Sequence, residues 1–197
     1  MEPFRVIKSQ VTPLDISNVD TDQIIPKQFL KLIQRTGFGK YLFYDWRFDR
    51  DGNPIRKFIL NDPKYTGRQI LLARDNFGSG SSREHAVWAI QDYGFKAIIA
   101  QSFADIFYTN CFKVGLLPVY LNSKEIDYLF RNEDLKVEID LFNQHVTMGS
   151  ITTHFKIDQY RKNALLQGLD EIGITLQLEP KIAGYEKKNN KVILPQQ

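Results

Sequence analysis

One run of the chain, Arg74-Asp75-Asn76-Phe77-Gly78-Ser79-Gly80-Ser81-Ser82-Arg83-Glu84-His85, carries most of the residues whose types and spacing could do chemistry. Gly78 and Gly80 permit positive φ and a close approach of backbone to a ligand. Ser81 and Ser82 supply hydroxyls, and Arg83 supplies a planar, always-charged fork that matches a carboxylate. Before the run, Gln69-Ile70-Leu71-Leu72-Ala73 suits a buried strand. After it, Val87, Trp88, Ile90 and Tyr93 continue a helical pattern that Gly94 stops. The stretch therefore reads as strand, glycine-rich turn and helix. The first amides of a helix are unpaired and sit at the positive end of its dipole, so the turn can seat a carboxylate or phosphate. A purely structural reading stands beside this one. Ser81 or Ser82 can cap the helix, and Ser81 with Glu84 fits a capping box. The run is neither a phosphate-binding loop of the Walker type, since no lysine follows the last glycine in place, nor a dinucleotide fingerprint, since the third glycine is missing.

The elements that must position this turn are those of an α/β domain. Lys96-Ala97-Ile98-Ile99-Ala100 and Leu116-Leu117-Pro118-Val119-Tyr120 read as two further buried strands. Between them Ser102 can cap a helix with Phe103, Ile106, Phe107 and Cys111 on one face, ended by Gly115. Three strands separated by two helices imply parallel, right-handed β-α-β units, with the seat at a strand's carboxyl end. Phe4-Arg5-Val6-Ile7-Lys8 is a plausible first strand, and Asn18-Val19-Asp20-Thr21-Asp22 a capped, polar turn. Pro26 stands near a first helical position, as Pro63 does after Asp62. From Val137 the alternation of apolar and polar residues, returning through His145-Val146-Thr147-Met148, predicts a hairpin, followed by a helix from Asp158 to Gln167. Residues 1–197 read as one domain, with a polar, lysine-rich surface tail over 185–197.

Composition narrows the classes. With 43% hydrophobic residues, 14 Phe and 9 Tyr, the chain can bury a substantial core. A net charge of +3 with interspersed signs gives no footprint for nucleic acid. No apolar run approaches the roughly 20 residues of a membrane span, and the first residues lack a signal-peptide pattern, so a cytoplasmic location is expected. Cys111 is the only cysteine, and His85, His145 and His154 lack zinc-site spacing. No metal ligand is assigned here, and any metal chemistry has to come from another chain. Cys111 reads as a small core residue, and His145 and His154 as ordinary strand or loop residues.

A carboxylate in the seat has chemical consequences. Taking a proton from the adjacent carbon builds negative charge, which helix amides and Arg83 can stabilise; loss of a β-hydroxyl then completes a dehydration. A serine base has a pKa far above neutral and needs strong electrostatic help, so residue types alone do not lead to it.

Asn76-Phe77-Gly78-Ser79-Gly80-Ser81-Ser82-Arg83-Glu84-His85-Ala86 closely resembles the signature of the swivelling domain of the aconitase superfamily, in its isopropylmalate branch of small subunits. Asn18-Val19-Asp20-Thr21-Asp22-Gln23-Ile24-Ile25-Pro26, Ser102-Phe103-Ala104-Asp105-Ile106-Phe107 and the stretch from Asn110 to Pro118 are similar to the same family, so the likeness runs over about residues 18–173. It implies a swivelling-type β/β/α domain with a mainly parallel central sheet and a C-terminal hairpin plus helices. It implies Ser81 as catalytic base, with Ser82 and Arg83 on a substrate carboxylate. The glycine-hinged, aromatic stretch Arg35-Thr36-Gly37-Phe38-Gly39-Lys40-Tyr41-Leu42-Phe43 matches the place of a loop that shapes the substrate side-chain pocket. Arg35, Thr36, Phe38 and Leu42 are its candidate contacts, although packing on the core suits Phe38 and Leu42 equally, and a solvated role suits Arg35. The resemblance further implies a [4Fe-4S] cluster held by a separate large subunit, a small dicarboxylate substrate, and interconversion of 2- and 3-isopropylmalate in leucine biosynthesis. Related hydro-lyases acting on homoaconitate or citraconate are alternatives, as are a non-catalytic anion-binding module and an interaction subunit whose turn only caps its helix. Ser79 departs from the cysteine that many relatives carry.

Overall fold

The computed structural model describes residues 1–31 and 36–188. In chain order the elements are β1 (Val6–Ser9), β2 (Val11–Leu14), α1 (Thr21–Ile24), α2 (Tyr44–Arg47), β3 (Ile70–Ala73), α3 (Glu84–Tyr93), β4 (Ala97–Ala100), α4 (Asp105–Val114), β5 (Leu117–Tyr120), α5 (Ser123–Arg131), β6 (Val137–Asp140), β7 (His145–Met148), β8 (Ile151–His154), α6 (Gln159–Gln167), α7 (Glu171–Leu176) and α8 (Glu179–Lys188). They build two four-stranded sheets. One is parallel, in the order β2-β3-β4-β5; the other is antiparallel, in the order β1-β6-β7-β8.

The apolar strands explain the layering. Successive side chains of a strand point to opposite faces. Leu71, Ala73, Ile98 and Ala100 enter one core with Val87 and Ile90 of α3 and Phe107 and Cys111 of α4. Ile70, Leu72, Ala97 and Ile99 enter a second core with Ile126 and Leu129 of α5 and the inner face of the antiparallel sheet, Val137, Ile139, Val146 and Met148. The parallel sheet is thus covered on both sides, as such sheets must be. Both of its edge strands contain proline, Pro13 in β2 and Pro118 in β5, which the missing amide hydrogen confines to edges.

Three strands, a C-terminal hairpin and the strand near residue 6 agree with the sequence-based expectation. Two strands were not expected. Val11-Thr12-Pro13-Leu14 is short and holds proline, yet it pairs with β3 because its own residues Val11 and Leu14 are buried. Ile151–His154 adds a third strand to the hairpin, with Thr147 facing Thr152 in register. Ile106 does not share the buried face of α4; it is 54% exposed. Residues 185–188, placed in a tail from sequence, belong to α8. Among the described residues no helix is long and apolar enough to cross a membrane.

Candidate active site

The site is built where three neighbouring parallel strands end. The segments leaving β2, β3 and β4 stay paired beyond the strands. Gly78 N donates to Val19 O at 2.7 Å and Thr21 N to Ser79 O at 2.9 Å. On the other flank Phe77 N donates to Ser102 O and Ala104 N to Phe77 O, both at 3.0 Å. Asn18 and Asn76, both at positive φ, lock the first two segments through a 2.8 Å amide–amide bond. The glycine-rich turn is therefore the middle of three stitched loops.

Gly78 has φ +78°, and a Cβ there would lie 2.1 Å from Phe107 Cγ. Both features require glycine. Gly80 has φ +87° and lies over Asp20 and Thr21. The chain then opens outward, so that Ser81 and Ser82 are exposed and neither hydroxyl bonds another described residue. Thr21, buried, donates from Oγ1 to Ser81 O at 2.8 Å and fixes the turn from below. Thr21 starts a helical turn capped by Asp20, whose carboxylate accepts from Gln23 N at 2.8 Å while Gln23 Oε1 accepts from Asp20 N at 2.9 Å. Ser79, half-buried, joins the turn to Val19 and Thr21 through its backbone alone.

The expected serine cap of α3 does not form. Arg83 itself is the N-cap, without a side-chain capping bond. Ser102 does not cap α4 either: its Oγ accepts from Asn76 N at 2.7 Å, and Ala104 stands at the cap position uncapped. Serine reached across to a neighbouring loop because that loop's amide had no ladder partner. The consequence is electrostatic. Two ten-residue helices begin without side-chain caps on the same cavity, of about 260 Å³, whose lining includes Ser82, Arg83, Ala104 and Asp105. Each brings orphan amides and a positive dipole end. The volume lies below the about 300–1,000 Å³ of drug-sized pockets, as suits part of a small metabolite. One carboxylate, exposed Asp105, opposes an anion here.

Arg83 borders the cavity with its side chain only 11% exposed, paired with Asp22. The hydrogen bond from Arg83 holds the Asp22 carboxyl below its ordinary value against the effect of burial, with Lys27 adding to it. Asp22 takes one end of the guanidinium and leaves the remaining N–H donors unpaired among the described residues. Burial pushes the His85 imidazole below its usual value; Glu84 opposes the shift and Arg83 adds to it. Asp22 and Thr21 are the site residues that sequence reasoning took only as turn formers. The signal was available in the spacing of a second polar motif, but only folding brings Asp22 to Arg83. Asp22→Asn is expected to raise KM severalfold with a smaller change in kcat, because the guanidinium loses its orienting partner, and to lower the melting temperature, since the largely buried Arg83, 11% exposed, loses the carboxylate that balances its charge. Steady-state kinetics and a thermal melt check both.

Of the two roles that the sequence leaves open for Phe38 and Leu42, this structure shows packing on the core. Phe38 and Leu42 are 1% and 0% exposed and lie in the first core, Phe38 at 5.3 Å from the His85 ring and 5.8 Å from Trp88. They are not at the cavity surface in this conformation. Gly39 explains why: a Cβ there would meet the Tyr93 amide nitrogen at 2.6 Å, so glycine lets this segment press onto the end of α3. Gly39 N donates to Asp92 at 2.8 Å. Thr36 is exposed, and Arg35 lies outside the described residues. Cys111 is fully buried, and burial pushes its thiol up, as suits an inert core residue. His145 and His154 face each other across β7 and β8 with rings 4.1 Å apart. Among the described residues no group of three or more His, Cys, Asp or Glu is arranged to hold a metal.

A two-sheet α/β domain with a cavity between two uncapped helix starts at the carboxyl end of its parallel sheet defines a class of fold, which comparison with known proteins identifies. The family model for the aconitase C-terminal domain matches residues 1–124. A 3-isopropylmalate dehydratase small subunit from Brevibacillus brevis is 56% identical over 193 residues, covering 95% of this chain and 100% of that protein. One from Leptospira interrogans is 54% identical over 200 residues, covering 98% and 97%. Among solved structures, the 3-isopropylmalate dehydratase LeuD of Methanocaldococcus jannaschii matches with a TM-score of 0.68 at 30% identity, covering 92% of this chain and 99% of that one. The chain belongs to the aconitase C-terminal domain family, in its branch of 3-isopropylmalate dehydratase small subunits.

Proposed function

We propose that this chain is the small subunit of a two-subunit hydro-lyase that interconverts 2-isopropylmalate and 3-isopropylmalate in the cytoplasm, by dehydration and rehydration, in leucine biosynthesis. The observation that carries it is the meeting of two uncapped helix starts with Arg83 and two unpaired serine hydroxyls at one cavity. In this reading one substrate carboxylate sits against the amides at the start of α3, Arg83 and Ser82. Ser81 Oγ takes the proton from the carbon next to it. The carbanionic charge spreads onto the carboxylate, where the amides and guanidinium offset it, and the same positive groups lower the cost of a serine alkoxide. The β-hydroxyl leaves as the double bond forms, and water returns to either carbon. A [4Fe-4S] cluster on the partner subunit supplies the Lewis acid for the hydroxyl; residues of this chain do not hold it. Thr36 and, if residues 36–43 part from α3 on assembly, Phe38 and Leu42 contact the isopropyl group, with Arg35 available to a second carboxylate.

The test is turnover by the purified chain mixed with its cluster-bearing large subunit. Activity is expected only from the mixture, with 2-isopropylmalate preferred over homoaconitate and citraconate. Equal rates across that panel would overturn the leucine assignment, and no turnover of any of them would overturn the reaction class.

A further inference from the structure

We infer that Asp105 and Ile106, at the start of α4, set which malate homologue the cavity admits: Asp105 turns away a branch that ends in a carboxylate, and Ile106 receives one that is apolar. This deepens the reading above and rests on it, since the seat of one substrate carboxylate at α3 is taken from there. Both residues line the cavity that Ser82 and Arg83 line from the other helix. Ile106 is 54% exposed and belongs to neither core, because Phe107 and Cys111 carry the core face of α4. A single exposed isoleucine is ordinary on an open surface. Held at the wall of a polar cavity, it is placed for an apolar group of a ligand.

The two helix starts differ in charge. Each has one acid in its first turn, Glu84 in α3 and Asp105 in α4, and neither has a side-chain cap. Glu84 is paired with Lys113 at 3.1 Å, and Arg83 stands immediately before it. Asp105 is exposed, and among the described residues its carboxylate makes no ion pair and accepts no hydrogen bond. A helix start carries about half a positive charge, so an unpaired carboxylate on α4 outweighs it. On α3 the acid is neutralised by Lys113, and the dipole and Arg83 remain. Asp22 offsets part of the Arg83 charge, and Lys27, 3.7 Å from Asp22, restores part of it. The cavity thus has a positive wall at α3 and a negative, partly apolar wall at α4. Its volume of about 260 Å³ brings both walls within range of one small ligand.

The preferred branch follows from the second wall. With one carboxylate on α3, a branch that reaches α4 meets Asp105 and Ile106. An isopropyl branch buries apolar surface against Ile106, with no movement of residues 36–43 needed. A branch that ends in a carboxylate, as in homoaconitate, sets a third negative charge against an unpaired one, and such a juxtaposition lowers affinity at least about tenfold. A methyl branch, as in citraconate, meets no such repulsion but covers less of Ile106. Asp105 therefore separates dicarboxylates from tricarboxylates, and Ile106 separates longer aliphatic branches from shorter ones.

The full chain assembled with its large subunit tests this, with KM for 2-isopropylmalate and the inhibition constants of homoaconitate and citraconate as competitors. Asp105→Asn is expected to tighten all three anions and the tricarboxylate most, so that the homoaconitate constant falls at least about tenfold relative to KM. Ile106→Ser is expected to raise KM for 2-isopropylmalate about tenfold and the citraconate constant less. An acid that served only to stabilise its helix would move the melting temperature and leave the ratio alone. A homoaconitate-to-isopropylmalate ratio in Asp105→Asn within about twofold of the unaltered enzyme's therefore overturns the inference, whatever the melt shows. Equal weakening of isopropylmalate and citraconate in Ile106→Ser overturns the part given to Ile106. A mixture that turns over no isopropylmalate removes the reaction proposed above. The same acids are then titrated into that mixture by calorimetry, where a shifted affinity ratio in Asp105→Asn leaves the inference standing and an unchanged one overturns it.

Discussion

Ser81→Ala is expected to lower kcat of the assembled enzyme by about 10²–10⁴-fold, the range of a positioned general base, with little change in KM. The separation of the two constants follows from the site. The carboxylate is held by Arg83, Ser82 and the helix amides, none of which the substitution touches. Folding gives no alternative account of a loss, because Ser81 is exposed and its hydroxyl bonds no other described residue. The melting temperature should therefore match that of the unaltered chain. A mixture that keeps its rate within about twofold would show that another group takes the proton.

Gly78→Ala is expected to have the largest effect on stability, about 2–5 kcal/mol. Two costs combine. An alanine at φ +78° carries a left-handed penalty of about 1–2 kcal/mol, and the added methyl needs the Phe107 ring to move out of a closed core, which costs about 1–3 kcal/mol. For a chain of this size the melting temperature should fall by about 5–15 °C. Activity should fall with it, since Phe107 also lines the cavity. Phe107→Leu should relieve part of the clash, so that the double variant is more stable than the sum of the single changes predicts. A melt of Gly78→Ala within about 1 °C of the unaltered chain would mean that the turn and α4 do not approach as described.

The amino-acid sequence by itself determined the parallel β3-β4-β5 core, since its strands are short apolar runs between glycine-stopped helices, and such runs carry their own period. It also determined the position of the turn, because Gly78 and Gly80 allow a backbone course that few other residues adopt. The limits of local reading show at Ser81, Ser102 and Phe38. Ser81 and Ser102 suit a cap that neither supplies here, and local pattern could not choose between the pocket and core roles open to Phe38, which is packed in the core. Serine bonds whichever amide lacks a partner, and for Ser102 that amide belongs to Asn76, 26 residues away. Phe38 is buried because Gly39 lets its segment approach α3, a contact between elements 53 residues apart. The convergence of the α3 and α4 starts on one cavity, the pairing of Arg83 with Asp22 and the strand β2 were likewise decided only by tertiary structure. All three depend on which loops the parallel sheet sets side by side, and strand order is a property of the whole chain's packing that no single stretch encodes.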